Sequence, residues 1–528
     1  MKKQNLLILI LILGAYFNSI AQVKFQKSYS HGITNKAYSF QQTSDNGYVI
    51  LGTTRTTFGS SNNLYLIKTD SNGDTLWTKS FAATSSNNGS EGHAVQQTND
   101  GGYILMAYHN DTVGIATTDN ALLIKTDASG NSLWCKSYGG WYYNSFGQIG
   151  QQTNDGGYIM VGGTFFGGAG GNDIYLIKTD NNGDSLWTRT LGKTTSYDVG
   201  ASVIQTSDGG YIVIGTSLNS GIADIYLIKT DNSGNPSWSK TYGGTSDDYG
   251  FTVQQTSDGG FILSCSTSSF GTGLVNPYLI KTNSNGDTLW TKVYSGNSSD
   301  EISGYAVNQT NDGGYILTGG ATISVGDIAY IIKTDSTGNL TWSKRYGTSD
   351  EASFSVTQCN DGGYAMVGST DMSGNQQIYL VKTDANGNSD CNESNLPLTV
   401  NSASTQVSNQ TTLSSSQGVA VPQSTIVTSG GTSTTFCTSV GLNEIQLDYT
   451  FSLFPNPSSG NFNITLNKNF KDGKIAVINL LGECVFEEHL INQSNKEIQM
   501  KNISHGIYFV KVFDGEQSYC KKIIVEQD

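Results

Sequence analysis

Proline is scarce, with 6 residues in a chain of 528. Few turns can therefore rely on a preset φ, and tight corners must come from other residues. Charged residues are also few, at 14%, and the net charge is −14. No basic run stands out, which argues against a nucleic-acid surface, where clustered Lys and Arg must neutralise phosphates. No Gly-rich phosphate loop joins a strand to a helix, and no Ser/His/Asp or Cys/His arrangement is arguable. The five histidines lack metal-ligand spacing, so no metal and no cofactor are expected. Cysteine is limited to seven, an odd number that cannot all pair within one chain. Cys135, Cys265 and Cys359 lie in strand-like repeats and read as small buried side chains. Cys391 with Cys437, or Cys484 with Cys520, could bridge in an oxidising compartment, and the sequence leaves both pairings open.

Long apolar runs are missing too, with one exception. Lys2 and Lys3 precede a continuously apolar stretch from Leu6 to Leu13. Small residues follow at Ser19 and Ala21, so residues 1–21 read as a secretory signal cleaved after Ala21. No Cys follows the apolar core, which speaks against a lipoprotein signal. No later segment is apolar enough to span a membrane.

What the chain has in abundance is glycine, 63 residues, and tyrosine, 28. Both fall into an internal repeat. An aromatic marker recurs at Tyr48, Tyr103, Tyr158, Tyr211, Phe261, Tyr315 and Tyr364. Asp-Gly-Gly precedes six of them, and Asp45-Asn46-Gly47 the first. A second marker, Lys-Thr-Asp or Lys-Thr-Asn, starts at Lys68, Lys125, Lys178, Lys229, Lys281, Lys333 and Lys382. The period of about 50 residues lies in the propeller range. Each copy divides into four short strands, as in "GFTVQQT", "GGFILSCST", "PYLIKTN" and "LWTKVY". The first pair turns at Asp-Gly-Gly and the last at Asp-x-x-Gly, where glycine accepts positive φ. The second strand is apolar on both faces, which places it inside a stack of sheets. Seven markers predict an all-β, seven-bladed propeller over residues 22–391.

The seventh copy is short of its outer strand. Six copies place a Trp nine residues after the marker Lys, but there Cys391 holds the position. Directly after the cleavage site comes "VKFQKSYS", in which Phe25, Lys27 and Tyr29 match the spacing of Trp134, Lys136 and Tyr138. The N-terminus is expected to supply that strand and close the ring.

This repeat resembles the Kelch-like and quinoprotein-like propeller superfamilies. It is also similar to tandem repeats common in secreted proteins of Bacteroidetes. The interval from Asp70 to Trp77 is one residue shorter than in the quinoprotein hairpin, and "TDSNGDTLW" departs from the spacing of sialidase Asp-boxes. The resemblance implies the fold alone.

Residues 392–447 are rich in Ser, Thr, Gln and Val and read as an extended linker or weak strands. Few aromatics and little charge leave scant material for a core. Residues 448–528 then predict about seven short strands, enough for a small Ig-like β-sandwich. They carry Phe454-Pro455-Asn456-Pro457, Gly460, Leu481-Gly482, Gly506-Ile507-Tyr508 and Lys521-Lys522 in order. Those motifs resemble the type A C-terminal sorting domain of the type IX secretion system. The resemblance implies passage through the inner membrane on the signal peptide and through the outer membrane on this domain. Its implied partners are the translocon and its sorting protease, and its implied fate is removal of the domain followed by release or surface attachment.

Features present in every copy read as builders of the fold: the turn Asp, the strand Lys and the outer Trp. The alternative for the "DSNGD" turns, a ring of Ca²⁺ sites, lacks the remaining ligands of a calcium loop. Acidic residues also recur before the first strand of a copy, at Asp198, Asp247, Asp248, Asp300, Glu301, Asp350 and Glu351, with Glu91 nearby. As pairs at a propeller mouth they could hydrolyse glycosidic bonds; as recurring residues they read as turn caps. One copy differs from its siblings. "GGWYYNSFG" and "GTFFGGAGG" should bring Trp141, Tyr142, Tyr143, Phe165 and Phe166 to one face, where aromatics suit sugar stacking or a protein anchor. The expectation is an exported, non-catalytic binding or scaffold module for a polysaccharide or surface protein. A secreted polysaccharide-active enzyme using carboxylates at the mouth is the alternative.

Overall fold

The computed structural model describes residues 22–526 apart from 59, 84–88, 114–115, 142–149, 165–170, 273, 325, 348–349, 372–374, 416–419, 423–424, 429–431, 439–450, 467–472, 480–483, 491–493, 501–502 and 514–517. Side chains of residues 83, 110–113, 116–119, 140–141, 420–422, 425–428, 432–438, 490 and 518–520 also lie outside the description. The chain divides into two compact units, Met1–Ser439 and Val440–Asp528. Every regular element among the described residues is a strand.

In the first unit each repeat forms its own antiparallel sheet. Second strands such as Tyr158–Thr164 and Phe261–Thr267 are buried along their full length. Burial on both faces requires a neighbouring sheet on each side, and the adjacent repeats provide them. Val49, Leu66, Leu105 and Ile124, for example, form one core shared by the first two repeats.

The turn motif is fixed by charge. Asp100 Oδ1 accepts from Thr98 Oγ1 and from the Gly102 N–H, and its carboxylate pairs with Lys125 at 2.9 Å. The buried Lys125 also donates to the Thr126 carbonyl. The same Lys–Asp pair recurs in all seven repeats, from Lys68–Asp45 to Lys382–Asp361, at 2.8 to 2.9 Å. A buried ammonium without that partner would be costly.

The outer Trp reaches the next repeat. Trp134 meets Tyr158 edge-on at 5.9 Å, as Trp77 meets Tyr103 and Trp290 meets Tyr315. Tyr138, two residues beyond Lys136, donates its hydroxyl to the Gly183 carbonyl at 2.6 Å. Gly183 has φ +76°, and a Cβ there would stand 2.8 Å from the Trp134 ring. Both facts demand glycine.

The strand missing from the seventh repeat comes from Phe25–Ser30. It pairs antiparallel with Gln377–Thr383, with Phe25 opposite Lys382. Trp342 stands opposite Lys333 in the same way. Phe25 then meets Tyr48 of the first repeat at 6.2 Å, Tyr29 donates to Gly73 O at 2.7 Å, and Lys27 pairs with Asp74. Phe25, Tyr48, Ile50, Val367 and Leu380 belong to one core cluster. The first and seventh sheets are therefore packed together as consecutive ones are.

The Ser/Thr-rich segment, expected as an extended linker or weak strands, forms short strands. It supplies a fifth strand to every sheet, visiting the sheets in descending order. Glu393–Asn395 pairs with Leu340–Tyr346 of the sixth repeat, Thr399–Asn401 with Thr288–Ser295, and Gln406–Asn409 with Pro236–Gly243. Leu413–Ser415, Ala420–Pro422 and Thr425–Thr428 continue through the third, second and first, and Thr432–Thr438 ends on Phe25–Ser30. The physical reason is the unsatisfied outer edge of each four-stranded sheet. Covering it takes backbone hydrogen bonds and small polar side chains, not a core. Cys391, at the start of this belt, is disulfide-bonded. Gln26 donates to the Cys391 carbonyl and stands in register with Cys437. Cys135, Cys265 and Cys359 are free and buried, whereas Cys484 is free and exposed, so no Cys484–Cys520 bridge forms.

The second unit has two sheets. Phe451–Phe454, Asn461–Leu466 and Asn495–Gln499 form one, and Cys484–Leu490, Gly473–Ile478, Gly506–Phe513 and Ser518–Val525 the other. Asn461–Leu466 alternates strictly between exposed and buried residues. Phe462, Ile464, Ile475, Val477, Val510 and Ile523 meet in one core between the sheets.

Candidate functional site

The first strands of the repeats meet around a cavity of about 410 Å³, to which all seven contribute. The sequence reason is the pair of residues before the turn. The second of the pair is Gln in every copy: Gln42, Gln97, Gln152, Gln205, Gln255, Gln309 and Gln358. Each donates to its own turn and accepts from the turn of the preceding repeat. Gln97, for instance, reaches Gly101 O and receives the Ser44 N–H. The series closes when Asn360 N–H reaches Gln42 Oε1. The first of the pair also bridges sheets: Gln41 and Gln96 accept from Gln97 N and Gln152 N at 2.6 and 2.7 Å. The wall thus combines amide and hydroxyl groups with aliphatic and aromatic side chains and has no Asp, Glu, Lys or Arg.

Above the amides lies a feature the sequence reading missed. The register of the first hairpin slips at the same place in six repeats, at Tyr38, His93, Ala201, Phe251, Tyr305 and Phe354. A β-bulge re-aims its extra side chain. Here five of the six are aromatic rings that touch in sequence. Phe251 meets Tyr305 at 5.1 Å, Tyr305 stacks on Phe354 at 5.6 Å, Phe354 meets Tyr38 at 4.9 Å, and Tyr38 stacks on His93 at 4.9 Å. Tyr108 extends the arc beyond His93. Burial lowers the His93 pKa to about 3, so its ring is neutral at physiological pH. Burial, then the Glu91 carboxylate, raises that of Tyr38. Aligning the repeats on the turn Thr would have exposed this column, five residues upstream of it.

Four of the recurring carboxylates, Asp198, Asp247, Asp248 and Asp300, act as loop caps. Asp198 accepts from Lys193 N–H and Ser196 Oγ, and Asp248 from Gly244 N–H and Ser269 Oγ. Asp300 accepts from Asn297 N–H, and Asp247 from Ala223 N–H. Asp198, Asp248, Asp300 and Glu351 are buried, whereas Glu301 is exposed. Burial raises the pKa of Asp248 despite these donors, and burial followed by Asp248 raises that of Asp224. Glu91 is raised by burial as well. In the "DSNGD" turn, Asp70 Oδ1 accepts from Asn72 and Asp74 N–H groups, so that oxygen is occupied by its own backbone.

The aromatic cluster expected at the third repeat falls largely outside the described residues. Trp141 ends the strand Ser132–Trp141, with only its backbone described. Tyr142, Tyr143, Phe165 and Phe166 lie outside the description.

In the second unit the Pro455-Asn456-Pro457 turn binds the last strand. Asn456 Nδ2 donates to Lys522 O at 3.0 Å, and its Oδ1 accepts from Ile524 N–H at 2.9 Å. Gly460, with φ +99°, accepts from Met500 N–H. Gly506 opens the strand Gly506–Phe513, in which Tyr508 is buried and donates to Ser504 O. Lys522 is exposed, and Gly482 lies outside the described residues. These motifs brace one edge of a small two-sheet unit at the end of the chain. Residues 452–526 match the secretion system C-terminal sorting domain family. The sorting domain marks the protein for export, to secretion or surface attachment, and implies engagement with the type IX machinery. No helix among the described residues is long and apolar enough to cross a membrane.

No curated protein matches the chain. Among solved structures, the chain is similar to a protein described as the extracellular domain of a hybrid two-component system from B. thetaiotaomicron. Identity is 13% with a TM-score of 0.31, and the match covers 93% of this chain but only 55% of that one. Another is Sqt1 from Chaetomium thermophilum, at 10% identity and TM-score 0.38, covering 69% of this chain and 100% of the other.

Proposed function

We propose that the protein is an exported seven-bladed β-propeller serving as a non-catalytic binding or scaffold module for a polysaccharide or surface protein. Its sorting domain, read as an Ig-like sandwich, delivers it and is removed by the sorting protease, after the signal at residues 1–21 has been cleaved. The Kelch-like or quinoprotein-like character of the blades and an origin in Bacteroidetes belong to the same reading. Seven sheets with shared cores, linked in a cycle by Gln42 to Gln358, support the propeller.

One observation carries the preference for binding over hydrolysis. Asp198, Asp247, Asp248 and Asp300 each accept from a loop N–H, while the surface where the first strands converge carries no Asp or Glu and is lined by amide, hydroxyl, aromatic and aliphatic side chains. A glycosidase needs two carboxyl groups free to face the scissile bond. The test is a panel of polysaccharides incubated with the exported protein, scored for both binding and new reducing ends. Binding without release is expected. Release of reducing ends would favour the carboxylate enzyme instead.

A further inference from the structure

The arc of bulged rings has one described gap, and a cavity opens in it. Ala201 holds the bulge position in the fourth repeat, where five siblings carry Tyr38, His93, Phe251, Tyr305 and Phe354. A cavity of about 490 Å³ adjoins Ala201 and spans the fourth to sixth repeats. That is within the ~300–1,000 Å³ of ordinary small-ligand sites. Tyr197, Tyr249, Phe251 and Tyr305 give it aromatic surface, and Thr216 and Ser303 add hydroxyl-bearing side chains. No lining residue is charged. Tyr249 is 42% exposed at the opening, as is the rim residue Leu218 at 41%.

We infer that this gap beside Ala201 is a subsite for an uncharged pyranose residue of a glycan, the sugar ring taking the place of the missing aromatic. The inference rests on the binding reading above and moves the site from the third repeat to the junction of the fourth, fifth and sixth. The chemistry of the lining selects the ligand. Aromatic faces accept the flat C–H face of a pyranose, and phenol and hydroxyl groups at the edge can meet its hydroxyls. A uronate or sulfate would lose hydration in a pocket with no cation to pair it. The repeat pattern makes the gap specific, because a large ring at this position is tolerated in five sibling strands.

The experiment uses the exported protein, titrated by calorimetry with cellohexaose, laminarihexaose and mannohexaose, and with oligogalacturonate and oligoalginate as acidic probes. Ala201→Phe restores the sibling residue and fills the gap. Tyr249→Ala removes an exposed ring and keeps the test decisive should the first variant fold poorly. At least one neutral hexaose is expected to bind, with affinity falling roughly tenfold or more in each variant, and Trp141→Ala leaving it unchanged. Neutral binding that survives Tyr249→Ala, or is lost only in Trp141→Ala, overturns the site. Binding of the acidic probes alone, or of none, overturns the ligand class. Release of reducing ends from any probe would instead overturn the binding reading itself.

Discussion

Asn360 donates its backbone N–H to Oε1 of Gln42 at 2.9 Å, across 318 positions of sequence. The six other bonds of this kind join neighbouring repeats. This one joins the last to the first, and it fixes how the unit should respond to damage at its ends.

Deleting residues 23–30 removes Phe25 from a core it shares with Tyr48 and Leu380. It also opens the edge of Gln377–Thr383. The milder change Phe25→Ala should cost about 3–5 kcal/mol, the usual range for a buried Phe. Thermal melts should show the whole first unit falling together in the deletion. An unchanged midpoint would refute the closure.

Acid should loosen the turns of the first six repeats, whose turn carboxylates are all held below their usual range. Against the upward push of burial, Lys125, Thr98 and the Gly102 N–H hold the Asp100 pKa down to about 2. Asp208, Asp258 and Asp312 are likewise held to about 2. A carboxylate depressed on folding stabilises above its unfolded value, 3.8 here, and loses that contribution as pH falls toward 2. Circular dichroism between about pH 5 and about pH 2 should show stability dropping below about pH 4. A flat profile would count against the Lys–Asp pairs.

The belt should keep the protein monomeric. Removing residues 393–438 uncovers the outer edge of seven sheets at once, and uncovered edges pair between molecules. Light scattering of that deletion is expected to report large assemblies, where the intact chain gives a single small species. A soluble monomer would show that the belt is dispensable for this role.

The cystine at Cys391 should secure the belt. Non-reducing peptide mapping is expected to join Cys391 to Cys437, both of which lie beside Gln26 in the chain's backbone pairing and hydrogen bonding. Cys391→Ser should lower stability by ~2–4 kcal/mol, the common range for a disulfide. A melting curve insensitive to reductant would contradict this.

Asn456→Ala removes both side-chain bonds to the final strand of the sorting domain. The loss should be on the order of 1–3 kcal/mol. Export is read as the fraction of protein reaching the medium or cell surface. It should fall, with a periplasmic pool appearing. Normal export would separate this brace from recognition by the secretion machinery.

The sequence carried most of the repeat. Asp-Gly-Gly, Lys-Thr-Asp and the outer Trp each have a fixed offset and one local job, so their roles could be read copy by copy. Phe25 was legible for the same reason, because Lys27 and Tyr29 keep the spacing of Lys136 and Tyr138. The belt was not. Its strands have three to seven residues each and no common motif, since an edge asks only for backbone donors and acceptors. The aromatic column was hidden differently. Tyr38, Phe251, Tyr305 and Phe354 share a bulge, and a bulge breaks the two-residue alternation that sequence reading relies on. The carboxylates were ambiguous until Ser196 and Ser269 appeared beside Asp198 and Asp248.

The order of the belt has a mechanical consequence. With the cystine closed between Cys391 and Cys437, a pull on Thr438 would pass from Cys437 straight to Cys391; with it reduced, the pull would load the strand Thr432–Thr438 first, lying on Phe25–Ser30. Only after that strand peeled away would force reach Thr425–Thr428, then Ala420–Pro422, and so on around to Glu393–Asn395. In the reduced chain, tension arriving from the C-terminal side would therefore be spent on seven short strands in series before it reached the four-stranded body of any repeat; the cystine removes that buffer.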